Sequence, residues 1–267
     1  MLPVEHSLHL LYSPELGPSG RLMLIRHDCD IDNPKVEKVE LIGALVAQKN
    51  PREYSNRKSP RLLDLEFSDG LGHGKWFRLD SSKRYFVTRD SLGDHVTDSD
   101  WALSDPDLST LRQWLVSWYA RPAFPDEFNR RMRHSAAGPT GIKGKSLVEF
   151  LDEVGRDYTH EILDIFFDLG DELGVELPAE EPYSLRITVV YDETKQDKDA
   201  LRQVINGIES VAQANFGVGP HATGILLEAC VAVSDEDFTL RDLRRQQRWM
   251  LDHVSLKKGV EPQDLVN

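Results

Sequence analysis

Cysteine is scarce in this chain of 267 residues, which contains only Cys29 and Cys230, far apart in the sequence. Two distant cysteines argue against a disulfide scaffold, exclude a zinc site made of cysteines and favour a reducing compartment. No apolar stretch approaches the roughly 20 residues that span a bilayer. The N-terminus also lacks the basic and apolar regions of a secretory signal. We therefore expect a cytoplasmic protein with no membrane segment.

Positive charge is also scarce, because the chain has 32 lysines and arginines but 45 aspartates and glutamates, which gives a formal net charge of −13. Such a chain repels a polyanion on average, so nucleic acid binds only where basic residues are segregated on one surface. The sequence also contains no Gly-x-Ser-x-Gly elbow and no Cys–His signature, so nucleophilic hydrolysis has no support.

Residues 1–120 consist of short apolar runs separated by turn-forming residues, which predicts a β-rich domain. Asp69 and the glycines that follow it predict a hairpin. A helix from about residue 107, carrying Leu111 and Trp114, is predicted to close a curled antiparallel sheet or small barrel. The predicted strands are 22–25, 39–46, 63–67, 75–79 and 84–89.

Residues 121–145 are basic and rich in Pro and Gly, with a short helix after Pro125, and are interpreted as a linker. Residues 146–267 are predicted to form an α/β domain, and the complete fold is expected to be α+β. This domain opens with a capping box and two helices, the second through Ile162, Phe166 and Leu169. A β-α-β-α sandwich follows, with strands 185–191 and 224–233, helix 198–215 and a last helix after Thr239.

A compact acidic cluster follows the first predicted strand. Alternate side chains of an extended segment share a face, so Asp28, Asp30 and Asp32 would converge as the oxygen ligands that Mg²⁺ or Mn²⁺ requires. A metal held there could orient a phosphate for phosphodiester cleavage, with His27 as general acid or base and Asp28 and Asp30 in the catalytic centre. Asp and Asn after a strand are also ordinary turn formers, so a structural turn is the alternative.

The segment 138–146 is similar to a phosphate-binding Gly-x-x-x-x-Gly-Lys-Ser loop, but its spacing fails by one residue and no apolar strand precedes it. What remains is a helix N-terminus flanked by Lys143 and Lys145, which could hold an anion. The alternative is a capped linker.

Basic residues are concentrated in a few further segments. One cluster, predicted as a stripe on the last helix by its three- and four-residue spacing, consists of Arg241, Arg244, Arg245 and Arg248. Another consists of Arg130, Arg131 and Arg133. Such clusters could follow the phosphates of a nucleic acid or dock an acidic partner. The alternative is a solvated surface neutralised by nearby acids.

Two segments, 25–31 (IRHDCDI) and 121–130 (RPAFPDEFNR), resemble those of an uncharacterised bacterial protein family. This resemblance implies an association with mobile-element and defence gene neighbourhoods, but it carries over no activity and no catalytic residue. Together with the charge pattern it leads to two hypotheses. One is a defence-type protein that contacts nucleic acid or a nucleic-acid-handling partner, and that acts as a metal-dependent nuclease. The other is a non-catalytic adaptor or sensor that binds protein.

Overall fold

The computed structural model describes residues 16, 20–25, 33, 35–47, 54–55, 57–69, 71–92, 101–117, 124–136, 144–158, 161–195 and 197–250. Within this part of the chain the fold is α+β, as predicted. The described residues up to 117 form one compact unit, and those from 124 onward form another. None of the described helices combines the length and apolar character that a membrane span requires.

The first unit contains a five-stranded antiparallel sheet with the strand order β1-β2-β4-β3-β5. Its strands are β1 (Arg21–Leu24), β2 (Lys38–Val46), β3 (Leu62–Asp69), β4 (Gly74–Thr88) and β5 (Trp101–Leu103). The predicted hairpin is confirmed between β3 and β4. Asp69 accepts hydrogen bonds from the backbone N–H groups of Leu71 and His73, because an aspartate at this position can pair with the backbone of its own turn.

One continuous strand, β4, replaces the two strands predicted at 75–79 and 84–89. Its pairing with β2 is irregular, since Ile42 lies opposite Arg84 whereas Ala44 lies opposite Leu79. The intervening polar residues of β4 therefore leave the regular ladder, as in a β-bulge, and such an insertion bends a sheet. That polar break is the reason the sequence reads as two strands.

The helix predicted near residue 107 is confirmed as α1 (Asp105–Ser117). It buries Leu111 and Trp114 in the same core cluster as Leu65 and Phe77 of the sheet. The indole nitrogen of Trp114 donates a hydrogen bond of 2.9 Å to the carbonyl oxygen of Ser59, so this buried polar group is satisfied.

The second unit contains a four-stranded sheet with the order β8-β7-β6-β9. Strands β7 and β8 are parallel and are connected by α4, so the predicted strand–helix–strand segment forms a parallel crossover. The helices are α2 (Asp126–Met132), α3 (Leu147–Asp157), α4 (Lys198–Phe216) and α5 (Leu240–Arg245). The strands are β6 (Ile162–Asp168), β7 (Tyr183–Tyr191), β8 (Ile225–Ser234) and β9 (Gln247–Arg248).

The ends of the long helices follow from local chemistry. The predicted capping box is confirmed at α3, where Ser146 and Glu149 satisfy each other's backbone N–H groups. Asp197 caps the start of α4, and Gly217 ends it with a φ of 80° that favours glycine. Helices α2, α3 and α4 pack on one face of the sheet and form the main core of this unit.

The helix predicted through Ile162, Phe166 and Leu169 is wrong. Ile162 is the first residue of strand β6, Phe166 lies within this strand and Leu169 directly follows it. Its pairing with β7 is irregular between Ile162 and Asp164, so Leu163 is an extra residue in the ladder. After the insertion, Ile162, Ile165 and Leu169 lie in one core cluster, and their spacing of three and four residues imitates a helical period.

The last predicted helix is wrong beyond Arg245, where α5 ends and the chain becomes extended. On this helix Leu240 and Leu243 are 73% and 53% exposed, whereas Met250, beyond its end, is buried. The segment predicted as a linker also contains α2, whose Phe128 and Met132 are fully buried in the core of the second unit.

Candidate anion-binding cleft

The predicted metal-binding cluster of Asp28, Asp30 and Asp32, together with His27, lies outside the described residues. The adjoining strand β1 is in place, and the backbone N–H of Ile25 donates to the carbonyl oxygen of Glu40. Within the described part of the chain, no group of three or more His, Cys, Asp or Glu side chains could hold a metal ion. The nuclease hypothesis therefore stays a prediction.

Arg131, predicted to bind an anion, is instead a buried structural residue with 4% of its surface exposed. Its Nε donates to Glu127 at 2.7 Å, and its two terminal nitrogens donate to four backbone carbonyl oxygens at 2.6 to 3.0 Å. A guanidinium has five N–H donors, so all of them are used inside the second unit. The four carbonyl groups belong to Leu177, Pro178, Glu181 and Gly224.

The neighbours of Arg131 are exposed but offer less positive charge than the sequence suggests. Arg130 makes a bidentate ion pair with Glu127, with both distances at 2.6 Å. Hydrogen bonds from Arg130 and then from Arg131 lower the pKa of Glu127 to about 2, so this carboxylate is ionised at neutral pH. Arg133 is exposed one residue beyond the end of α2.

Lys145 precedes the capping residue of α3, and its ammonium lies 2.5 Å from a carboxylate oxygen of Glu153. This contact neutralises the lysine locally, which weakens the case for an anion at this helix terminus. Lys143, its predicted companion, lies outside the described residues.

The arginines of the last cluster do not form one helical stripe. Arg248 is in strand β9, and its Nε donates to Asp164 of β6 at 2.5 Å with both side chains mostly buried. Arg241, Arg244 and Arg245 lie on α5 and are exposed. Arg241 and Arg245 are four residues apart, so they share one side of this short helix.

A charged surface lies on the face of the second sheet that is opposite the helices. The parallel pairing of β7 and β8 shifts between Leu185 and Arg186, so that Glu228 is an extra residue in β8. Bulges in parallel pairs are rare, and they commonly redirect a side chain. Here the carboxylate of Glu228 meets Nε of Arg186 at 2.7 Å.

Two adjoining clefts open on this face and share Asp168, Arg186 and Arg245. The first, which we call the arginine cleft, has a volume of about 370 Å³ and the second about 330 Å³. The arginine cleft is lined by three arginines and two carboxylates, whereas the second has two arginines and four carboxylates. The charged residues of the arginine cleft are Arg186, Arg241, Arg245, Asp168 and Asp242.

The arginines of this cleft remain accessible despite their ion pairs. The side chains of Arg186 and Arg245 are 60% and 58% exposed, and Arg245 reaches Asp168 only at 3.3 Å. The hydrogen bond with Glu228 raises the pKa of Arg186 above its usual value, so this group stays charged. Thr239 caps α5, and its hydrogen bonds lower the pKa of Asp242 and hold that carboxylate at the start of the helix.

Sequence reasoning found Arg241 and Arg245 but missed Arg186, Asp168 and Glu228. The one available signal was Arg186, the single charged residue of strand β7. The partners of Arg186 could not be inferred, because they are brought together by a parallel crossover and by a bulge. Comparison of the chain with family models, curated proteins and solved structures finds no match.

Proposed function

We propose that this protein binds the phosphates of a nucleic acid through the arginine cleft of its second unit. The observation that supports this is the convergence of Arg186, Arg241 and Arg245 on one cleft of a chain with a net charge of −13. A planar guanidinium suits phosphate because it presents several donors in a fixed arrangement. The lining of the arginine cleft has three positive and two negative side chains, a net excess of one positive charge in an otherwise acidic chain.

The arginines of this cleft use only some of their N–H donors within the protein. Arg186 uses its Nε for Glu228, and Arg245 uses one terminal nitrogen for Asp168. Since each guanidinium carries five N–H donors, most of the donors on these two exposed side chains face solvent. An incoming phosphate could bind them without first breaking the ion pairs that fix their positions.

The test is the binding of a labelled single-stranded oligonucleotide, measured by fluorescence anisotropy over a series of salt concentrations. For three neutralised phosphates the slope of log K against log salt should be about −2, since each contact with a single strand contributes about 0.7. Arg241→Gln combined with Arg245→Gln should reduce the slope to about −0.7. The matched control is Arg202→Gln on α4, an arginine that is 72% exposed and outside the cleft.

No binding at low salt would contradict the proposal, as would a double variant that binds with the unchanged slope. A slope that falls equally in the control variant would show that total charge, and not the cleft, governs binding.

A second candidate function is the docking of a protein partner, and the exposed leucines of α5 favour it. Leu240 and Leu243 are 73% and 53% exposed beside the arginines, and Val231 of β8 is 47% exposed. Apolar side chains flanked by arginines suit a partner with acidic and apolar residues. Leu240→Ser with Leu243→Ser should abolish capture of such a partner while leaving the salt slope for nucleic acid unchanged.

Catalysis at His27, Asp28, Asp30 and Asp32 is retained as part of the proposal for a defence-type protein. In that case phosphodiester cleavage would require Mg²⁺ or Mn²⁺ at the aspartates. The sequence pattern alone supports this step.

A further inference from the structure

The size of the arginine cleft restricts what it can hold. Its volume of about 370 Å³ is at the lower end of the range for small-molecule sites, which runs from roughly 300 to 1,000 Å³. A single nucleotide matches such a volume. A duplex keeps its bases stacked and paired, so it would offer the cleft only its backbone and leave the space unfilled.

The lining of the cleft is divided between charged and apolar residues. Arg241 and Arg245 are on α5, whereas the sheet contributes Thr188, Ala229 and Val231. A nucleotide has the same division, with a charged phosphate and a flat base. Apolar side chains favour the base because contact with them removes apolar surface from water.

Gln246 adds a polar group that nothing in the described part of the chain satisfies. It follows α5 directly and lines the cleft beside Arg245, and its Oε1 atom is buried with no hydrogen-bond partner. Leaving a buried acceptor unpaired is unfavourable, and such groups in native proteins usually have a role. Because Oε1 has no hydrogen bond in the described part of the chain, turning this cleft-lining side chain toward a ligand would break none.

We propose that the arginine cleft takes one unpaired nucleotide of a single strand, an inference that rests on the proposed function. The two phosphates that flank this nucleotide bind to Arg241 and Arg245, one to each, and the base lies against Ala229 and Val231. An N–H group of the base donates to Oε1 of Gln246. Every base has such a donor on its pairing edge, and pairing in a duplex occupies it, so the cleft selects single strands over duplexes.

The experiment uses the full chain and three labelled probes with equal numbers of phosphates. They are a single-stranded oligonucleotide, the same backbone with abasic spacers, and a duplex. We expect the ordinary strand to bind on the order of tenfold more tightly than the abasic strand, a difference of about 1.4 kcal/mol. The duplex should bind no better than the abasic strand.

Substitutions of Gln246 separate base recognition from phosphate binding. Gln246→Leu should lose the preference for the ordinary strand and keep its affinity for the abasic strand. Gln246→Glu keeps an acceptor and should keep the preference for the ordinary strand. Its added negative charge should lower the affinity for the ordinary and abasic strands equally. The matched control is Gln203→Leu on α4, an exposed glutamine outside the cleft, which should change neither affinity.

The outcomes distinguish the inference from the proposed function. If none of the three probes binds, both fail. If the ordinary and abasic strands bind equally, the cleft binds phosphate and the inference about the base is overturned. A preference that survives Gln246→Leu also overturns it, because the acceptor is then not the group that reads the base.

Discussion

Replacement of Arg131 by alanine should strongly destabilise the second unit, because this side chain satisfies four backbone carbonyl groups at once. The substitution removes the guanidinium donors of the Leu177 and Glu181 carbonyl groups in a site where the arginine is 4% exposed. The carbonyl groups of Gly224 and Pro178 still accept from backbone N–H groups. Glu127 still pairs with Arg130. An unsatisfied buried acceptor costs about 1–3 kcal/mol, and water entering the vacated space offsets part of the sum. We therefore expect a loss of about 3–5 kcal/mol, the range for breaking a buried charged network.

The lysine variant tests whether charge alone explains the effect. An ammonium has three donors at a single point, whereas the guanidinium reaches Leu177 and Pro178 from one nitrogen and Glu181 and Gly224 from another. Arg131→Lys should therefore recover only a minor part of the loss. Arg133→Gln, two residues away and exposed, is the control and should leave stability unchanged.

Native-state amide hydrogen exchange is the suitable measurement, because it reports the opening free energy of the second unit by itself. The slowest amides of β7 and α4 give the global opening of this core. A loss below about 1 kcal/mol in Arg131→Ala would refute the reasoning, since it would mean that the carbonyl groups do not depend on the guanidinium. Full recovery of stability in Arg131→Lys would show that positive charge alone explains the loss in Arg131→Ala.

Three further predictions concern other parts of the chain. Folding lowers the pKa of Glu127 from 4.5 to about 2, so its contribution to stability is present above pH 4.5 and is lost as the pH falls toward 2; Glu127→Gln should flatten acid denaturation curves in this window. Trp114→Phe removes the hydrogen bond to Ser59 and part of a buried ring, so urea denaturation should show a loss of about 1–3 kcal/mol in the first unit. If the acidic cluster binds metal, Mn²⁺ should raise the melting temperature of the native chain but not of Asp28→Asn with Asp30→Asn, and an equal rise in both would exclude that site.

Much of the fold could be predicted because the relevant signals are local. A few adjacent residues specify the hairpin between β3 and β4, and a few others specify the capping box of α3. The crossover from β7 through α4 to β8 follows from clear changes of hydrophobic period. These signals need no knowledge of which strands become neighbours.

Two of the errors have a common physical cause, which is a shift in the pairing register within a strand. A bulge in β6 spaces its core residues like those of a helix, and the irregular pairing of β4 divides one strand into two apparent ones. The end of α5 was missed for the opposite reason, because the arginine spacing continues past Arg245 although the backbone does not. Periodicity records only which residues share a face.

The candidate site could be predicted only in part, because sequence does not show where the donors of an arginine are used. Arg131 and Arg245 look alike in their basic clusters. The structure gives all five donors of Arg131 to its own unit, but only one donor of Arg245 to Asp168. An arginine of the first kind stabilises the fold and cannot bind a ligand without unfolding its surroundings. One of the second kind keeps most of its donors for a ligand, which is why the arginine cleft, and not the cluster on α2, is the surface where phosphate binding is expected.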